Sequence, residues 1–134
     1  MDTQKEKRAW SFVRRAQSFT HALRGIRLMF LTTPNAWIHI SATVIVVMAG
    51  CYFSISLFEW MAIIVAIGLV FIAEAFNTAI EIDINLTSPE FHPYARDTKD
   101  VAAGAVLIAA LISAIVGLIV FLPKIFNMIQ FGYE

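Results

Sequence analysis

The chain has 134 residues, 59% of them hydrophobic and only 15% charged, and a mean hydropathy of +0.73. Those values place it among membrane proteins before any motif is read. A formal net charge of zero excludes a globally basic surface for nucleic acid, and the single Cys51 excludes an internal disulfide framework and a cysteine-built metal cluster.

The charges are segregated along the chain. Lys5, Lys7, Arg8, Arg14, Arg15, Arg24 and Arg27 all precede the first sustained apolar run. This mixed start is too polar for a secretory signal peptide, so the membrane spans themselves are expected to direct the chain to the membrane. Phe12, Ala16, Phe19, Leu23, Ile26 and Phe30 recur in steps of four and three, which draws one apolar stripe on a helix over about 10–31. Arg14, Arg15, Ser18 and His21 fall largely off that stripe. Such a helix suits the membrane interface, apolar side down and basic side toward lipid phosphates. The plainer alternative is a solvated basic flank that only orients the protein, and both readings put this end in the cytoplasm.

Thr32-Thr33-Pro34 ends the first helix. Pro34 suits the first position of the next, with Thr33 as its N-cap. The first span is expected over about 35–53, with Trp37 as an interfacial aromatic. Ser54 to Ser56 is the only connection before a second span over about 57–84, so the two form an antiparallel hairpin. At about 1.5 Å per residue, Leu57 to Glu74 covers roughly 25 Å and brings Glu74 to headgroup depth. Pro89 and Pro93 exclude a continuous helix through 85–97, whose polarity suits a cytoplasmic loop. Asp97 or Thr98 can cap a third span over about 98–122, which Pro123 is expected to terminate. Its start, Ala102-Ala103-Gly104-Ala105, is small enough to let another backbone approach closely. The fold class expected is an all-α membrane protein in a single unit, an amphipathic surface helix plus three transmembrane helices, N-terminus in and C-terminus out.

Glu74, Asn77, Thr78 and Glu81 stand at i, i+3, i+4 and i+7, so they share one helical face, which Asn85 continues. Carboxylates at membrane depth are costly and default to a functional role. Two of them about 10 Å apart along one face can divide two tasks: the inner accepting a proton from a lipid hydroxyl, the outer holding a hydrated magnesium ion. Lys99 supplies a point charge for phosphate beside a helix N-terminus. Asp100 can bind metal or orient Lys99. These are parts for phosphoryl transfer at a membrane surface. The alternative is a packing network in which the same side chains only hydrogen-bond neighbouring helices. The six glycines are isolated, so a nucleotide site must be built from helices and a loop rather than from a Gly-rich cradle.

Glu74-Ala-Phe-Asn77-Thr-Ala-Ile-Glu81, His92-Pro93 and Ala95-Arg-Asp-Thr-Lys99-Asp100-Val-Ala-Ala-Gly-Ala-Val resemble the small bacterial membrane lipid kinases, diacylglycerol kinase and undecaprenol kinase. The resemblance extends to Ala22-Leu-Arg-Gly25-Ile-Arg27, Asn35 and His39. It implies a homotrimer with active sites shared between subunits, residence in the inner or cytoplasmic membrane, and MgATP-dependent phosphorylation of a membrane lipid alcohol. By the same resemblance Glu74 looks like the general base and Asn77 its positioning neighbour. Glu81 looks like a magnesium ligand, and Arg14, Glu90, His92, Lys99 and Asp100 like nucleotide-side residues, while Arg27 and Glu74 are expected to meet the lipid. Two positions depart from the family pattern: Thr33 stands where a second metal-binding Glu is usual, and Asn85 where an Asp is usual. Asp83 does not replace the latter, being about 200° round the helix from Glu81. The His92-Pro93 loop and the Phe121-Leu-Pro-Lys ending look closer to undecaprenol-type members. The rivals are a non-enzymatic scaffold or ion-conducting subunit derived from such a kinase, and a lipid phosphatase.

Overall fold

The computed structural model describes residues 3–131, and the side chains of 14–130. Phe12, Lys5, Lys7 and Arg8, which the sequence places in the stripe or the basic flank, have side chains outside that range. Four helices follow one another: α1 Thr3–Thr32, α2 Pro34–Tyr52, α3 Leu57–Thr87 and α4 Pro93–Phe131. Three are long and apolar enough to cross a membrane, Pro34–Tyr52, Leu57–Thr87 and Pro93–Gln130.

Among the described side chains of α1, only those of its last turns pack against the rest of the chain. Phe19, Leu23 and Ile26 are more than half exposed, whereas Met29 is buried. Phe30 sets its ring against Trp37 of α2 and Phe71 of α3, at centroid distances of 6.4 and 6.0 Å. Trp37 Nε1 donates to the Phe30 carbonyl at 3.0 Å, which fixes the α1–α2 corner.

That corner is a single extended residue, Thr33, followed by Pro34 in the first turn of α2. Thr33 stands at the N-cap position as its place before Pro34 predicts, but its hydroxyl makes no cap hydrogen bond. It lies instead 2.8 Å from Thr78 Oγ1 on α3, with both side chains buried. A buried hydroxyl needs a partner, and the partner within reach belongs to another helix.

The α2–α3 turn is built from two opposed signals. Ser54 takes a positive φ of 47°, Ile55 N donates to Gly50 O at 3.1 Å and Ser54 N to Cys51 O at 3.3 Å. This is a Schellman ending with serine in the left-handed position that glycine usually fills. Ser56 and Glu59 then form a reciprocal capping box that opens α3. Gly50 is required by packing, because a Cβ there would stand 2.7 Å from Cη2 of the Trp60 ring.

Helices α3 and α4 pair along most of their length. Ala102, Val106, Ala109 and Val120 of α4 are buried with Ile63, Ala66 and Val70 of α3, and Ser113 Oγ lies 2.9 Å from the Ala66 carbonyl across the pair. Gly104 takes no part in that close approach, since a Cβ there meets nothing within 4 Å.

The expected third span is corrected at both ends. Helix α4 begins at Pro93, before Asp97 and Thr98, and runs through Pro123 to Phe131. Proline at a helix start loses no intrahelical bond. Pro123 removes one backbone donor but does not stop the helix, whose next residues are held from outside. Lys124 Nζ pairs with Glu59 Oε1 at 3.1 Å, and Met128 Sδ lies 3.8 Å from the Tyr52 hydroxyl. Helix α3 likewise extends past the expected residue 84, to Thr87. At 31 residues it is about 46 Å long against a hydrocarbon core of about 30 Å, so it projects beyond the core.

Candidate functional site

Among the described residues Glu74 is the largest side chain with no exposed surface, and Asn77 and Thr78 are buried beside it. The helical register brings all three to one face of α3, and Glu81 stands half-buried one turn on. Asn77 Nδ2 donates to Glu81 Oε1 at 3.3 Å, and Thr78 Oγ1 donates to the Glu74 carbonyl at 2.9 Å. Because that bond uses the single Thr78 proton, Thr33 is the donor in the Thr33–Thr78 pair.

Both carboxylate oxygens of Glu74 and Oδ1 of Asn77 are buried without a hydrogen-bond partner. Burial without a partner is the expensive state for such groups. They face a cavity of about 320 Å³ whose polar lining is Asn35, His39, Glu74, Asn77 and Glu81, walled on the α4 side by Ala103, Val106, Leu107 and Ala110. An occupant that hydrogen-bonds would satisfy them.

A second cavity, of about 310 Å³, lies where α3 gives way to the loop, and Asn85, Glu90, His92, Arg96, Lys99 and Asp100 line it. Lys99 Nζ donates to Asn85 Oδ1 at 2.7 Å, so this neutral amide holds the lysine in place. Arg96 Nε is 3.5 Å from Asp100 Oδ2. Glu81 and Asn85 are one turn apart, about 6 Å along α3, so the two cavities follow each other along one helix face.

Of the residues expected from sequence, Glu74, Asn77 and Glu81 share the first cavity, and Glu90, His92, Lys99 and Asp100 share the second. Arg14 and Arg27 are exposed on α1 and line neither. Thr33 also lines neither. Sequence reasoning gave no role to Arg96, Asn35 or His39. The last two were detectable as an i, i+4 pair of polar side chains in the first turns of α2.

Among the described residues no three His, Cys, Asp or Glu side chains gather into a group able to hold a metal ion. Magnesium commonly takes one or two carboxylates and completes its shell with water and substrate phosphates. Glu81, partly buried and beside the unpartnered Asn77 oxygen, fits that requirement.

The family described as prokaryotic diacylglycerol kinase matches residues 20–121. The chain is 44% identical over 109 residues to an undecaprenol kinase of Bacillus subtilis, covering 81% of this chain and 89% of that protein. It is 35% identical over 112 residues to a diacylglycerol kinase of Synechocystis, covering 83% of this chain and 64% of that protein. With a diacylglycerol kinase of Escherichia coli K12 the identity is 25% over 104 residues, 78% of this chain and 85% of the relative. With its buried carboxylate face and a match that reaches all four of its helices, the chain belongs to the prokaryotic diacylglycerol kinase family.

Proposed function

We propose that this member of a lipid kinase family transfers the γ-phosphate of ATP to the hydroxyl of a membrane lipid alcohol, with Glu74 as general base. The observation that supports this most is the Glu74 carboxylate, fully buried, unpartnered and lining a cavity with Asn77 and Glu81. In the step, the lipid O–H gives its proton to Glu74 while its oxygen bonds to the γ-phosphorus. The bond from that phosphorus to the β,γ-bridging oxygen breaks, and ADP leaves with the electron pair. Asn77 holds Glu81 and offers its Oδ1 to the reacting groups, and Thr78 ties the Glu74 backbone through the hydroxyl bonds to Thr33. The loop cavity receives the nucleotide, with Lys99 and Arg96 toward phosphate and Glu90 and His92 around it. Glu81 would hold magnesium, which supplies charge neutralisation on the phosphates. Arg14 and Arg27 would reach nucleotide and lipid from the surface helix, across a homotrimer in which sites are shared between subunits.

The acceptor is undecaprenol or a similar polyprenol rather than diacylglycerol. This rests on the 44% identity to the relative named undecaprenol kinase, against 35% and 25% to relatives named diacylglycerol kinase. The test is magnesium-dependent transfer of radiolabel from γ-labelled ATP to undecaprenol and to diacylglycerol in mixed micelles. Labelled polyprenyl phosphate is the expected product. Absence of labelled lipid with either acceptor would defeat the kinase reading.

A further inference from the structure

Glu74 has no exposed surface, so a proton taken up by its carboxylate has no direct way to bulk water. The groups around it limit where that proton can go. On the α4 side the cavity wall is Ala103, Val106, Leu107 and Ala110, none of which carries a proton. Asn35 and Asn77 are neutral amides, which leaves Glu81 and His39 as the titratable side chains that share the cavity with Glu74. Glu81 Oε1 already accepts from Asn77, and its carboxylate is the one fitted to magnesium. His39 is uncommitted, because its side chain makes no hydrogen bond among the described residues. Its ring is held instead by aromatic contact, edge-on to Phe71 at 6.5 Å, and Phe71 in turn meets Phe30 at 6.0 Å. Both ring nitrogens therefore remain available.

We propose that His39 is the proton exit of this site: it takes over the proton that Glu74 removes from the lipid hydroxyl and passes it to water at the membrane surface. The proposal rests on the kinase reading for the origin of the proton. No hydrogen bond joins the two side chains directly, and a cavity of about 320 Å³ has room for several water molecules at about 30 Å³ each, so the transfer runs through water. The Glu74 O–H bond formed during phosphoryl transfer breaks, the proton passes through water to a ring nitrogen of His39, and the imidazolium releases it to the bulk. Glu74 is left ionised and His39 neutral, with one proton released for each phosphate transferred. Imidazole suits the task because its two forms interconvert near neutral pH. Position suits it as well: His39 lies about 8 Å along α2 from that helix's first residue, Pro34, and is partly exposed where Glu74 is not.

A proton exit acts after the phosphate has moved, which separates it from a group that serves the transfer or the packing. Rapid-quench measurements should use γ-labelled ATP and the lipid alcohol that the parent phosphorylates. His39→Gln should complete its first turnover within about twofold of the parent and then slow, its steady-state rate falling by about 10². Imidazole added to His39→Ala should accelerate the slow phase, whereas pyrazole, of equal size and far less basic, should not. A first turnover slowed as much as the steady state overturns the proposal and gives His39 to the transfer step or to packing. So does an unchanged steady-state rate, or equal acceleration by the two azoles.

A second measurement needs no turnover. The chain has three histidines, and His21 and His92 are exposed and outside this cavity. Spectra of the intact protein in detergent with ¹⁵N-labelled histidine therefore report His39 against two internal controls. On Glu74→Gln the titration midpoint of His39 should move by about one pH unit, while those of His21 and His92 stay. An unmoved His39 midpoint overturns the proposal whether or not lipid is phosphorylated. A moved midpoint in a protein that labels no lipid would leave His39 and Glu74 as a proton-sharing pair and remove the kinase reading.

Discussion

A carboxylate with no exposed surface and no partner is the least comfortable group in this chain, and its neighbours explain why it stays where it is. Glu74 is held by its backbone, through Thr78 and Thr33, while its oxygens remain open to the cavity. Glu74→Gln keeps the shape and removes the proton acceptor. Lipid phosphorylation should fall by about 10² or more while the folded assembly persists on gel filtration; near-normal turnover would return Glu74 to a packing role. Glu81→Gln should raise the magnesium concentration for half-maximal activity by about tenfold or more. Thr33→Val should leave that concentration within about twofold and instead cost about 1 kcal/mol of stability, because Thr78 loses its donor. A large magnesium shift in Thr33→Val would restore Thr33 as a metal-side residue.

At the scale of elements, the α2–α3 turn and the α4 extension are the places where local preference and tertiary packing disagree. Ser54 adopts a left-handed backbone that costs a non-glycine residue about 1 kcal/mol. Ser54→Gly should therefore raise the midpoint of thermal unfolding, and a lowered midpoint would mean that the serine side chain is needed in the turn. Gly50→Ala should do the opposite, because the added methyl meets Trp60 and Ile55; overpacking of this kind costs about 1–3 kcal/mol. Beyond Pro123, α4 is fastened to the hairpin by Lys124–Glu59 and Tyr52–Met128. The proline is accommodated because its neighbours are tied to other helices.

For the molecule as a whole, three apolar helices and the basic residues before Pro34 predict an orientation. The loop that carries Glu90 should face the cytoplasm together with the N-terminal flank, and the end of α4 should face outward. Single cysteines in a Cys51-free background test this: a membrane-impermeant thiol reagent applied from outside should label position 130 and spare positions 5 and 90. Labelling of position 90 but not 5 would break the three-span arrangement. The exposed Phe19, Leu23 and Ile26 of α1 are expected to lie against lipid, so charged substitutions there should weaken membrane attachment of that helix rather than the packing of α2 to α4.

Hydropathy and proline placement were enough to divide the chain into four helices, because each span is a local property of consecutive residues. The common face of Glu74, Asn77 and Glu81 was legible for the same reason, since it depends only on the pitch of one helix. The family motifs were read from the same local spacing. What tertiary structure alone decided are relations between helices. Thr33 reads as a cap in sequence, yet its hydroxyl bonds Thr78 because packing places α3 within reach. Pro123 reads as a stop, yet contacts from other helices carry α4 past it. The burial of Glu74 and the gathering of Glu90, His92, Lys99 and Asp100 around one cavity both arise where separate segments meet. No periodicity within one helix encodes which face of another lies opposite, and that pairing is set only when the apolar surfaces of α2, α3 and α4 come together.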